Sequence, residues 1–254
     1  MEKVKIPNSK GQNVAAVIER PKAKTEKLAI LCPGFLDTKD YDHLVELAKV
    51  LADRGYTVVR FDPTGTWESE GEITDYTTSQ YLSDVKSVLE YMLRESGYKN
   101  ILLGGHSRGG MVSILYAARD PRISAVVGIM PSSPHSAFIK HRREQWKRGG
   151  FRISKRDAPG TSEKREFRVP YAHAGDRDKF NVLKDVKRVH VPVVLLTGSL
   201  DVTVLPENVR EIFDKANEPK QFIAIPKIGH DYRHNLSEIK IVNDKILEAL
   251  TSMQ

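Results

Sequence analysis

Ile101-Leu102-Leu103-Gly104-Gly105-His106-Ser107-Arg108-Gly109-Gly110 is the stretch that decides the fold. An apolar run leads into Gly105-x-Ser107-x-Gly109, and apolar residues at helical spacing continue from Met111 to Ala118. Strand, sharp turn and helix in that order lift a serine hydroxyl clear of a sheet and set it at a helix N-terminus, where backbone N–H groups can receive negative charge. The flanking glycines suit that turn, because a Cβ there would meet the neighbouring strand or helix. A glycine-rich connection is the plain alternative, and the strand before and helix after favour a nucleophile over it.

Working outward, strands and helices alternate from residue 27 onward. Short apolar runs at 27–31, 56–61, 100–105, 123–130, 193–197 and 221–225 read as strands. Helical spacing appears at 41–54, 78–95, 108–118, about 206–216 and about 236–250. Residues 2–7 and 12–19 read as two further strands joined by the turn cluster Asn8-Ser9-Lys10-Gly11. Continuous apolar strands separated by helices predict a mostly parallel α/β sheet covered on both faces, with its chemistry at the carboxyl ends of the strands.

Residues 134–190 break the rhythm. They are polar and basic, hold Gly149-Gly150 and Pro159-Gly160, and fit no βα unit. A connection of that length is expected to be functional, so the segment predicts a cap over the strand ends, inserted in a core of residues 1–133 and 191–254. The 254-residue chain carries a net charge of +7, and the whole excess lies between Pro131 and Pro170, where 11 Lys plus Arg stand against 4 Asp plus Glu. A nucleic-acid binder is therefore disfavoured: outside this segment the charges balance. The bland reading of the segment is a solvated basic face. The sharper one is that Arg142, Arg143 and their neighbours attract the anionic acid portion of a substrate.

No apolar run approaches the roughly 20 residues of a membrane span. The N-terminal residues lack a signal-peptide core, and the single cysteine, Cys32, has no partner within the chain. The expectation is a cytoplasmic protein with no membrane partner; monomer and homodimer both stay open.

A serine hydroxyl needs a base, and the base needs a group that fixes its tautomer. After the strand at 193–197 comes Gly198-Ser199-Leu200-Asp201, which puts Asp201 where an orienting carboxylate belongs; no acid follows the strand at 123–130. After the last strand comes Pro226-Lys227-Ile228-Gly229-His230, which makes His230 the expected base and His234 its rival, four residues on. His43, His135, His141, His173 and His190 fall on an early helix, in the basic segment or before a strand. The oxyanion is expected to meet the backbone amides of Arg108, directly after the nucleophile, and Phe35, after the strand at 27–31. Trp67, His106 and Trp146 are the candidate substrate-binding side chains, with Tyr171 a further wall. No metal or cofactor is expected.

These residues resemble the α/β-hydrolase superfamily, and within it small serine esterases of the cinnamoyl (feruloyl) esterase-like group. The resemblance covers nearly the whole chain. It rests on Pro33-Gly34-Phe35, Arg60-Phe61-Asp62 with Gly65 and Ser69-Glu70-Gly71, Gly105-His106-Ser107-Arg108-Gly109-Gly110, Gly198-Ser199-Leu200-Asp201 and Gly229-His230. It implies the α/β-hydrolase fold, a Ser107–His230–Asp201 triad and a small-molecule carboxylic ester as substrate. Thioesters, acyl-peptides and amides use the same machinery, and a non-catalytic ligand-binding module on this fold is the alternative of another class. Two departures stand out: Cys32-Pro33-Gly34 replaces the usual His-Gly, and Gly65-Thr66-Trp67-Glu68-Ser69-Glu70-Gly71 replaces the usual Gly-His-Gly-x-Ser-x-Gly. Both reshape the acyl pocket.

Overall fold

A computed structural model describes residues 1–134 and 137–252, without the side chains of 137–142. The side chains of His135, His141 and Arg142 therefore lie outside the described residues. The chain begins with a hairpin, β1 (Glu2–Pro7) and β2 (Asn13–Glu19), followed by β3 (Lys27–Cys32), α1 (Asp42–Asp53) and β4 (Thr57–Phe61). Then come α2 (Thr78–Glu95), β5 (Asn100–His106), α3 (Arg108–Ala117) and β6 (Ala125–Ile129). The basic segment holds α4 (Ala137–Gly149), β7 (Phe151–Asp157), β8 (Lys164–Pro170), α5 (Ala172–Arg177) and α6 (Val182–Asp185). The chain closes with β9 (Val193–Gly198), α7 (Pro206–Lys215), β10 (Lys220–Ile225) and α8 (Leu236–Ser252).

Eight strands form one sheet in the order β1-β2-β4-β3-β5-β6-β9-β10, parallel from β4 to β10, with β2 antiparallel to both β1 and β4. Burial follows position in the sheet. Every residue of β4 is buried, whereas the edge strand β1 buries only Ile6. One apolar cluster lies on the face covered by α2, α3 and α7, with Leu28, Ile30, Leu103, Val85 and Ile212 among its members. The opposite cluster joins Leu31, Leu102, Leu196 and Val58 to α1 and α8 through Leu47 and Ile246. Burial of two such faces supplies the main favourable free energy of folding. No helix among the described residues is long and apolar enough to cross a membrane.

The basic segment is not a structureless connection. Its β7 and β8 pair antiparallel from Phe151 opposite Pro170 to Asp157 opposite Lys164, closed through Gly160 at φ 70°. Phe167 and Val169 are buried against Leu36 and Tyr76. Polar side chains fasten the hairpin to the β3–α1 loop: Arg156 donates to the Phe35 carbonyl at 3.0 Å, and the Tyr41 hydroxyl donates to the Asp157 carbonyl at 2.9 Å. The alternation in Phe151-Arg152-Ile153 and Phe167-Arg168-Val169, on either side of Pro159-Gly160, is the strand signal that the sequence carried here.

Candidate active site

Ser107 sits between β5 and α3 with φ 53° and ψ −115°, a backbone region that costs a non-glycine residue about 1–3 kcal/mol. The elbow is held on both sides. The Ser107 N–H donates to the Ile129 carbonyl at 2.8 Å, and the Ser132 N–H donates to the Ser107 carbonyl at 3.0 Å. A Cβ on Gly105 or Gly109 would collide with the Cys32 carbonyl, so α3 can lie this close to β3 only with glycine at both places.

Three side chains from three strand ends meet here. The Ser107 hydroxyl lies 3.0 Å from His230 Nε2, and His230 Nδ1 lies 2.7 Å from Asp201 Oδ2. The other oxygen of Asp201 accepts the Thr203 and Val204 amides, each at 2.8 Å. With both carboxylate oxygens engaged, the arrangement calls for Nδ1–H donating to Asp201 and a bare Nε2 facing the hydroxyl. Asp201 is buried and Ser107 is 8% exposed, so solvent competes little for these hydrogen bonds.

Arg108 opens α3, which leaves its amide among the N–H groups that a helix does not use internally. The β3–α1 loop, which carries Phe35, is fixed from below. The Leu36 N–H donates to the Tyr76 hydroxyl at 2.9 Å, the Tyr81 hydroxyl donates to the Pro33 carbonyl at 2.8 Å, and Trp67 Nε1–H donates to the Leu36 carbonyl at 3.0 Å. A cavity of about 310 Å³ opens over Ser107 and is lined by Phe35, Arg108, Trp146, His173 and His230 among others.

The candidate side chains divide. Trp146 lines the cavity, stacked on His173 at 5.7 Å, and its Nε1–H donates to the Val169 carbonyl at 2.9 Å; Tyr171 stands behind it. Trp67 does not line the cavity: it packs edge-on against Phe167 at 5.4 Å, between loop and hairpin. His106 does not line it either, being fully buried beneath His230 with ring centroids 4.6 Å apart. His234 lies away from Ser107, accepting from Arg233 and packing against Tyr41. His173 was not singled out from the sequence, because a lone histidine in a basic segment reads as solvated. In the fold it is 4% exposed, with Nδ1 2.7 Å from the Tyr76 carbonyl.

Behind His230 lies a second buried group, Asp37, His43 and His106, the one set of three potential metal ligands close together among the described residues. It differs in kind from the Asp201 set. No nitrogen of either histidine has a hydrogen-bond partner among the described residues, and His106 stands 3.8 Å from Asp37. Burial pushes His106 down to about 4 and His43 well below its ordinary value, so both are neutral near pH 7. Burial alone would raise the Asp37 carboxyl, but Arg233 at 2.8 Å outweighs it and holds Asp37 below the usual carboxylate range.

A family model described as alpha/beta hydrolase fold matches residues 28–149. The mitochondrial palmitoyl-protein thioesterase ABHD10 of Mus musculus is 24% identical over 221 residues, 85% of this chain and 71% of the relative. The lysophosphatidylserine lipase ABHD12 of Danio rerio is 28% identical over 79% of this chain, which spans about half of that protein at 52%. Among solved structures, Est1E from Butyrivibrio proteoclasticus with bound ferulic acid superposes with a TM-score of 0.76 at 23% identity, covering 98% of this chain and 99% of that one.

Proposed function

Because the chain belongs to the α/β-hydrolase superfamily, we propose that it is a serine hydrolase of carboxylic esters. The observation that carries the reading is the unbroken relay from Ser107 through His230 to Asp201, at 3.0 and 2.7 Å. Ser107 Oγ attacks the ester carbonyl while His230 Nε2 takes its proton, and Asp201 holds the resulting imidazolium in register. The Phe35 and Arg108 amides receive the oxyanion. Collapse of the tetrahedral intermediate expels the alcohol, which leaves with the proton from His230. Water, deprotonated by the same nitrogen, then cleaves the acyl-enzyme and frees the acid. One water enters, and one acid and one alcohol leave.

A thioester substrate is the second reading, favoured by the thioesterase named among the relatives. The steps are unchanged, with a thiol as leaving group. Matched p-nitrophenyl and thiophenyl esters of one acid separate the two by kcat/KM. A p-nitrophenolate burst equal to the enzyme concentration, absent in Ser107→Ala, is the expected result for the shared mechanism. Turnover undiminished in Ser107→Ala would refute it.

A further inference from the structure

Six arginines line the cavity over Ser107, namely Arg108, Arg143, Arg152, Arg156, Arg177 and Arg233, against one acid, Asp231. Four of them have other commitments, Arg152 among them, over the Phe35 ring at 5.5 Å. Arg143 is paired with Asp178, Arg156 donates to the Phe35 carbonyl, and Arg233 holds both Asp37 at 2.8 Å and Asp231 at 2.9 Å. Arg143, one of the two basic residues that the sequence offered for anion attraction, is thus neutralised in place.

Arg108 is different. It is 3% exposed, and none of its three guanidinium nitrogens has a hydrogen-bond partner among the described residues. It lies over the Tyr76 ring at 4.1 Å, with the Phe35 and Tyr81 rings at 5.9 and 5.6 Å. Arg177 donates to the Ser133 carbonyl at 3.3 Å. Burial and then the nearby Arg108 push its pKa down to about 10. Aromatic faces return part of the cost of desolvating a cation, but they satisfy no N–H group. A buried guanidinium, Arg108, and a half-buried one, Arg177, line the same cavity and repel each other, which lowers the stability of the folded protein, and a ligand bearing negatively charged oxygens offsets that cost. Planar N–H forks suit carboxylate and phosphate alike.

We propose that Arg108 and Arg177 form an anion subsite of the ester pocket, so that the preferred substrate carries a carboxylate or phosphate beyond the scissile bond. The inference rests on the hydrolase reading and names the substrate class for it. Two pairs of esters test it, each an anionic ester and a neutral counterpart. One pair is p-nitrophenyl hydrogen adipate with p-nitrophenyl methyl adipate, for an anion on the acyl side. The other is butyryl glycerol phosphate with monobutyrin, for an anion on the alcohol side.

The expected result is kcat/KM at least about tenfold higher for the anionic member of one pair, the scale of one or two charge-assisted hydrogen bonds. The pair that responds identifies the side. That ratio should fall about tenfold in Arg177→Gln and in Arg108→Met, and stay in place in Lys49→Gln, a distant surface charge. Active sites are counted in every variant by fluorophosphonate labelling, so a misfolded variant does not pass for a loss of selectivity. Equal kcat/KM within both pairs, or a ratio unmoved in both arginine variants, overturns the subsite. Absence of turnover and labelling with every ester in the unaltered protein is a separate outcome, and it overturns the hydrolase reading instead.

Discussion

The cavity has a floor and a roof, and they are built differently. The floor is made by strand ends: Ser107 after β5, Asp201 after β9 and His230 after β10, with Ser107 pinned through its own backbone, Asp201 by the Thr203 and Val204 amides, and His230 by Asp201. The roof is made by α4, the β7–β8 hairpin and α5. Long side chains fasten it to carbonyls far away in sequence, such as Arg156 to Phe35 and Arg165 to Trp67. Under the proposed function, the floor sets the chemistry with little freedom and the roof sets which molecule reaches it. Changes in the floor should lower kcat; changes in the roof should act first on KM.

The largest effect expected is at Ser107. Ser107→Ala should lower kcat roughly a million-fold, and adding His230→Ala should cost little more, because the relay acts as one unit. Independent, multiplying effects in steady-state assays would break the picture of a connected floor. Next comes Asp201→Asn. It preserves size and one amide acceptor but turns an NH₂ toward His230, favouring the wrong tautomer, and about a 10⁴-fold loss in kcat is expected. A loss of only a few-fold would mean that His230 is oriented by something else.

Third is stability against pH, which both regions share. His106 under the floor has a folded pKa of about 4, below its unfolded value of 6.5, and His173 in the roof and His43 are likewise depressed by burial. Between those values the unfolded chain binds the extra proton, so this stability is complete above about pH 6.5 and drains away as pH falls. From pH 7 to 5, His106 alone contributes a loss of about 2 kcal/mol. Asp84 acts oppositely: burial raises its carboxyl to about 6, so acidification relieves a buried charge and returns about 1 kcal/mol over the same window. The net expectation is a lower urea midpoint at pH 5 than at pH 7, with a shallower slope in His106→Gln. A midpoint independent of pH would contradict neutral burial of these rings.

The smallest effect expected is in the roof. Trp146→Ala removes the face stacked on His173 and should raise KM roughly tenfold with kcat nearly kept. A drop in kcat larger than the rise in KM would erase the division between floor and roof.

The same division explains what was legible in the sequence. Apolar runs ending in Gly105-x-Ser107-x-Gly109, in Asp201 and in Gly229-His230 locate the floor because a parallel sheet brings its strand ends to one edge. The β7–β8 hairpin is harder to read, since a two-stranded ribbon carries many charged residues and its apolar alternation spans only a few positions. Trp67 and His106 show the limit of proximity in sequence. Each neighbours a site motif, yet one packs into the loop–hairpin seam and the other under the base. Arg108 shows the converse. Its place after Ser107 marks its amide, but the burial of its guanidinium among Phe35, Tyr76 and Tyr81 depends on residues from two other segments, the loop after β3 and the region around the start of α2.

The most direct test is to treat the protein with a fluorophosphonate, digest it and locate the adduct by mass spectrometry. One phosphonyl group per chain on the peptide containing Ser107, with labelling lost in His230→Ala, is the result this account predicts. An unlabelled but folded protein, or an adduct on another residue, would contradict it.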